Sequence, residues 1–125
     1  MVSPYKNKKG FDRLSAALNH SFEGLKATFK NEEAFRQEIF LALILIPVAF
    51  YTGDTTVEKI LLVSSLILLI VIELINTGIE VIIDRVSLDK NELSKLAKDI
   101  GSAAVLIAFL NCFIIFFSSN IFASI

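Results

Sequence analysis

Apolar residues recur at two different rhythms along this chain. In the first quarter, Leu14, Leu18, Phe22, Leu25 and Phe29 return every three or four positions, while Ser15, Asn19, Glu23 and Lys30 take the other sides. That spacing predicts an amphipathic helix over about 12–30. Such a helix fits the plane of a membrane interface, its basic residues among headgroups, or a protein surface that covers its apolar side. Downstream the pattern changes to long apolar runs. Residues 39–51 carry no charge, and counting back to position 34 gives a second segment, 34–51, with Arg36, Gln37 and Glu38 at its boundary. The uncharged part alone, at about 1.5 Å per residue, falls short of a hydrocarbon core of roughly 30 Å, so a re-entrant segment competes with a full span. Pro47 is tolerable inside a membrane helix. A polar turn, Thr52-Gly-Asp-Thr-Thr56, precedes the clearest span, 57–84. A fourth segment begins near Leu93 and yields a span over 97–118, where Gly101, Ala104 and Ala108 are small residues suited to close helix packing. The expected fold is all-α, with one amphipathic surface helix and three transmembrane helices. It forms a single domain over 1–125.

Composition narrows the class. The 125 residues are 54% hydrophobic with 11 Phe and no Trp, oilier than an ordinary soluble domain. A net charge of −1 gives a nucleic-acid role no support. Cys112 stands alone in an apolar run, which excludes an intrachain disulfide, and His20 is the sole histidine, which excludes a His/Cys zinc cluster. The first nine residues are polar and do not read as a signal peptide. Basic residues set the expected topology. Seven Lys/Arg precede Ile39, four lie between Arg85 and Lys98, and Lys59 alone lies between the first two spans. The positive-inside rule then places the N-terminus in the cytoplasm and the C-terminus outside, as three spans require.

Within the oily third segment one stripe is polar. Glu73, Asn76, Thr77, Glu80 and Asp84 are separated by offsets of three, four, seven and eleven, all on one helix face. Ionisable groups in hydrocarbon are costly and mark function unless they are paired. Glu73 lies about three turns inside the boundary marked by Asp84 and Arg85, where desolvation suits it to proton transfer. Glu80 lies nearer water and suits a metal. The two are roughly 10 Å apart along the helix, too far to hold one small cation together, so they have separate tasks. Two flanking clusters, Asn31-Glu32-Glu33-Ala-Phe-Arg36-Gln37-Glu38 and Glu92-Leu-Ser-Lys95-Leu-Ala-Lys98-Asp99, face the same aqueous side. A carboxylate from another helix and Glu80 could share Mg²⁺, with Lys98 and Arg13 neutralising phosphate. These are the parts of phosphoryl transfer. No phosphate-binding Gly-rich loop is present, so spacing alone does not identify ATP. A proton or cation pathway through Glu73, Glu80 and Asp84, and an inert assembly subunit whose polar groups join helices, stay open on this evidence.

Glu73-Leu-Ile-Asn76-Thr77-Gly-Ile-Glu80-Val-Ile-Ile-Asp84-Arg85 resembles the signature of the prokaryotic diacylglycerol kinase family. The two flanking clusters, the second read through Ala97-Lys98-Asp99-Ile-Gly101-Ser102-Ala-Ala-Val105, resemble it as well. The likeness covers about 11–110. It implies a small homotrimeric enzyme of the bacterial inner membrane that transfers the ATP γ-phosphate to a lipid hydroxyl with Mg²⁺, at sites shared between subunits. By the same resemblance Glu73 is the catalytic base, and Glu32 and Glu80 are the metal carboxylates. Arg13, His20, Glu32, Glu80, Asp89, Lys90, Asn91, Lys98 and Asp99 bind ATP. Arg13, Ala17, Ser21, Phe22, Arg36, Gln37, Glu38, Glu73, Asn76 and Ser102 bind the acceptor lipid. This chain departs from the family at Asn19-His20-Ser21-Phe22-Glu23, where Gly-Tyr-Ser-Trp-Lys is frequent. It also has Asn91 for a frequent His and Gly78 for a usual Ala. Between the family's two branches, Phe35-Arg36-Gln37-Glu38, Asp84-Arg85 and Gly101-Ser102-Ala-Ala resemble the diacylglycerol branch more than the undecaprenol branch, which tends to carry Ala-Ala-Gly-Ala after Lys-Asp.

Overall fold

A computed structural model describes residues 9–123. It is all-helical: α1 spans Phe11–Asn31, α2 Glu33–Thr52, α3 Thr56–Val86 and α4 Glu92–Ala123. The first nine residues, apart from Lys9, lie outside the described ones. The chain divides into an N-terminal unit, Met1–Glu33, and a larger unit, Ala34–Ile125.

In the N-terminal unit, α1 follows Gly10, whose φ of 60° is the left-handed geometry that glycine adopts without a Cβ penalty. Asp12 in the first turn and Lys30 in the last complement the helix dipole. The helix stops because Glu32 is extended, and its N–H bonds back to the Thr28 carbonyl at 2.8 Å. Leu14, Leu18, Phe22, Leu25 and Phe29 are all exposed, as an interfacial helix requires.

In the larger unit, α2, α3 and α4 are each long and apolar enough to cross a membrane. α2 is continuous through Pro47, so its 20 residues form a helix rather than a re-entrant turn. At about 1.5 Å per residue it reaches roughly 30 Å, a full hydrocarbon core. Its buried positions, Phe35, Glu38, Ala42 and Ala49, fall on one face. At the turn, Gly53 is buried, and a Cβ there would press on Lys59 Cγ at 2.6 Å and the Ala49 carbonyl at 2.9 Å. α3 is then capped by Thr55, whose Oγ1 accepts from Glu58 N at 3.2 Å, while Glu58 Oε2 accepts from Asp54 N at 2.8 Å.

α3 and α4 pack on each other. The buried residues of α3 are Leu62, Ser65, Leu66, Leu69, Glu73, Asn76 and Thr77, of which Ser65 and Asn76 touch α4. The buried residues of α4 are Gly101, Ala108, Cys112 and Ser119, of which Gly101 and Cys112 meet α3. Ala104 is exposed, against the expectation that it packs with Gly101 and Ala108. Position 104 lies on the same side of α4, three residues after Gly101 and four before Ala108, yet is left uncovered within one chain. Ser65 Oγ donates to the Leu62 carbonyl at 2.7 Å and lies 3.3 Å from Cys112 Sγ, so the buried thiol packs on a hydroxyl. α4 starts before the expected span because Asn91 caps it, Oδ1 accepting from Leu93 N at 2.9 Å and Ser94 N at 3.2 Å. Large apolar residues such as Phe40, Leu43, Ile67 and Phe113 face outward, where lipid tails would cover them.

Candidate active site at one end of the helix hairpin

The polar stripe of α3 descends from solvent into the packed interior. Asp84 is exposed, Glu80 half-buried, and Thr77, Asn76 and Glu73 buried, with Glu73 only 5% exposed. Each step is about one helical turn or less, so the single continuous helix α3 carries the gradient.

At the exposed end, Asp84 and Lys98 form an ion pair between α3 and α4, Nζ to Oδ1 at 2.8 Å. Lys95 pairs with Asp99 one turn along α4 at 2.7 Å. Beside them opens a cavity of about 590 Å³, lined among others by Asp84, Asp89, Lys90, Asn91, Lys98 and Asp99. Its volume is in the range that encloses a nucleotide-sized ligand. The connecting loop is held in shape by its own hydrogen bonds, Asp89 N donating to Ser87 Oγ at 3.0 Å.

One turn deeper, Asn76 Nδ2 donates to Glu80 Oε1 at a long 3.5 Å. Asn76 leans across to α4, where a Cβ at Gly101 would collide with its amide oxygen. Gly101 therefore admits Asn76, and any larger residue would displace it. Asn76 Oδ1 and Thr77 Oγ1 are buried without a hydrogen-bond partner. Buried polar atoms left unpaired are uncommon in stable folds, and they concentrate here beside Glu73.

At the deep end Glu73 meets α2. Glu38, 4% exposed, hydrogen-bonds to the Glu73 carboxyl group. A carboxyl–carboxyl hydrogen bond needs a proton on one partner, because an ionised carboxylate only accepts. Glu38 shares a face of α2 with Phe35 and Ala42, and the sequence gave no sign that this face opposes Glu73.

The fold thus brings together Glu38 with Glu73, Asn76 with Glu80, and Lys98 and Asp99 with the loop residues Asp89, Lys90 and Asn91. Asp84 enters as the partner of Lys98, a role that required knowing which faces of α3 and α4 meet. Arg36 is half-buried on α2, Gln37 is exposed, and Ser102 is exposed next to Gly101. Arg13, Ala17, His20, Ser21 and Phe22 are exposed on α1, and Glu32 is half-buried at its end; these belong to the N-terminal unit. Within α1, Ser21 Oγ donates to the Ala17 carbonyl at 2.8 Å, and His20 Nδ1 lies 3.8 Å from Glu23 Oε2.

Comparison with known proteins gives this geometry a context. The profile of the family "Prokaryotic diacylglycerol kinase" matches residues 19–119, most of the chain. The chain belongs to that family. It is similar to the diacylglycerol kinase of Haemophilus influenzae, 48% identical over 99 residues, covering 79% of this chain and 84% of the relative. It is 43% identical to that of Pseudomonas aeruginosa over 106 residues (85% and 86%) and 41% identical to that of Escherichia coli K12 over 104 residues (83% and 85%). This family member is accordingly an enzyme, a multi-pass membrane lipid kinase. The alternatives of a bare proton pathway and an inert assembly subunit give way to it.

Proposed function

We propose that this kinase transfers the γ-phosphoryl group of Mg·ATP to the free hydroxyl of diacylglycerol, giving phosphatidic acid and ADP. The observation that carries the reading is the graded stripe itself. A buried carboxyl group at Glu73 stands roughly 10 Å below Glu80 on the same helix, and the stripe ends at a cavity rimmed by Lys98. A lipid alcohol and a water-soluble nucleotide need to meet across just such a change of surroundings.

Each residue then has a task. Glu73 accepts the lipid hydroxyl proton as the oxygen attacks phosphorus. Lys98, held by Asp84, presents a cation to the phosphate chain, and Arg13 supplies a second one. Asp89, Lys90, Asn91 and Asp99 shape the nucleoside side of the cavity, and His20 takes the aromatic contact. Asn76 orients the acceptor through its unpaired amide oxygen. Ala17, Ser21, Phe22, Arg36, Gln37, Glu38 and Ser102 line the lipid side.

The donor set fits a magnesium ion. Among the described residues no group of three or more His, Cys, Asp or Glu side chains converges. Mg²⁺ commonly takes one or two protein carboxylates and fills its remaining positions with phosphate oxygens and water. Glu80, which accepts the long 3.5 Å amide contact and lies within the electrostatic reach of Lys98, has oxygens to spare for it, and Glu32 is the second carboxylate of the proposal. When bound, the ion neutralises charge on the phosphates.

The orphaned buried oxygens and the outward apolar faces favour assembly with further copies, and we extend the proposal to a homotrimer whose sites draw residues from neighbouring subunits. The protein works as one integral-membrane domain in the bacterial inner membrane with its N-terminus in the cytoplasm, as the distribution of Lys and Arg supports.

The deciding experiment offers detergent-solubilised protein labelled ATP with diacylglycerol or undecaprenol. Mg²⁺-dependent label in phosphatidic acid, with little in the polyprenol, is the expected result. Preference for undecaprenol would overturn the acceptor assignment, and label in neither lipid would overturn the activity. In the same assay Lys98→Met should raise KM for Mg·ATP about tenfold, the loss of one charge-assisted contact, with KM for lipid unchanged.

A further inference from the structure

Glu38 and Glu73 come from different helices, are 4% and 5% exposed, and hydrogen-bond to each other. Two bare carboxylates in that contact would repel strongly and neither could donate, so the pair holds a proton. Which residue carries it is written in the remaining oxygens. Glu38 Oε2 is buried and has no hydrogen-bond partner, whereas no oxygen of Glu73 is stranded in this way. An ionised carboxylate with one oxygen buried and unsolvated is far more costly than the carbonyl oxygen of a neutral acid in the same place.

We infer that Glu38 is the neutral acid of the pair and acts as a positioning residue, its O–H holding Glu73 as an oriented acceptor for the lipid hydroxyl proton. This rests on the kinase reading above and assigns Glu38 a task beyond lining the acceptor site. Lys98 of α4 is engaged by Asp84, Lys95 by Asp99, and Glu80 of α3 meets Asn76.

The chemistry balances. The lipid O–H bond breaks as the O–P bond forms, the P–O bond to ADP breaks, and the lipid proton goes to Glu73. The Glu38 proton stays in its hydrogen bond throughout and fixes which oxygen of Glu73 is presented. A buried carboxyl group that itself kept the shared proton could not act as a base, and with the proton on Glu38 the Glu73 oxygen in this contact is an acceptor.

Infrared difference spectroscopy of the purified protein at neutral pH tests this without relying on turnover. The C=O stretch of a protonated carboxyl group is expected in the unaltered protein and in Glu73→Gln, and is expected to vanish in Glu38→Gln. A band that vanishes in Glu73→Gln and survives in Glu38→Gln, or no such band at all, overturns the assignment. Kinetics give a second arm. Glu38→Gln keeps a donor and should lose severalfold less kcat than Glu38→Leu, which should lose about tenfold or more with KM for Mg·ATP unchanged. Equal losses in both variants would show that the charge of Glu38, not its donor, is what matters, and would sink the idea. Failure of the unaltered protein to phosphorylate any lipid would fell the kinase reading and leave the infrared result to stand or fall by itself.

Discussion

Glu73→Gln should leave a folded protein that binds Mg·ATP with nearly unchanged affinity and turns over about 10²–10⁴-fold more slowly, the range over which a positioned general base contributes. The substitution preserves shape and the hydrogen bond from Glu38, because the new amide oxygen accepts where a carboxylate oxygen did. What it removes is the basic lone pair. Nucleotide binding, read by equilibrium titration, should be unaffected because Glu73 lies roughly 10 Å from Glu80 along α3. Turnover, read as phosphate incorporated into lipid, should fall. A variant that keeps more than a tenth of normal turnover would remove Glu73 from the role of base. Mixed assemblies offer a second view of the same residue. If base and metal carboxylate come from different subunits, combining Glu73→Gln chains with Glu80→Gln chains should restore part of the activity that each lacks.

Gly101→Ala should act in a different way, through position rather than chemistry. Its added methyl group would occupy the place of the Asn76 amide oxygen. The far end of a side chain can move aside, so the fold should survive with a loss of about 1 kcal/mol, typical of mild overpacking. Moving the amide, however, separates Asn76 from Glu80 and turns it from the acceptor site. Turnover should drop about tenfold while thermal unfolding shifts by only a few degrees. Gly101→Leu, with far more volume against the same helix face, should fail to assemble. A Gly101→Ala enzyme of normal activity would show that Asn76 has no positional role.

Much of this arrangement was legible before any coordinates. Helix periods and apolar run lengths placed all four helices, because an amphipathic stripe and a membrane span each leave a strong pattern. The polar stripe of α3 was equally plain, since Glu73 and Asn76 contradict their surroundings. The contacts between stripes were not. Periodicity states which residues share a face and is silent on which face of a second helix opposes it. The Glu38–Glu73 contact, the Asp84–Lys98 pair and the meeting of Gly101 with Asn76 are therefore findings of the fold. Of the small residues Gly101, Ala104 and Ala108, the packing within one chain covers the first and last and leaves Ala104 exposed. The fourth segment, expected to begin near Leu93, starts at Glu92, where Asn91 caps it.

α3 and α4 contain 31 and 32 residues, roughly 45–48 Å of helix, about half as long again as the oily layer they cross. Each therefore stands partly in oil and partly in water as one unbroken rod. A rigid rod fixes the depth of every group along it. For the proposed reaction, such a rod would need no moving arm to carry a greasy alcohol up or a charged nucleotide down, since it draws the boundary between the two solvents across the reaction path.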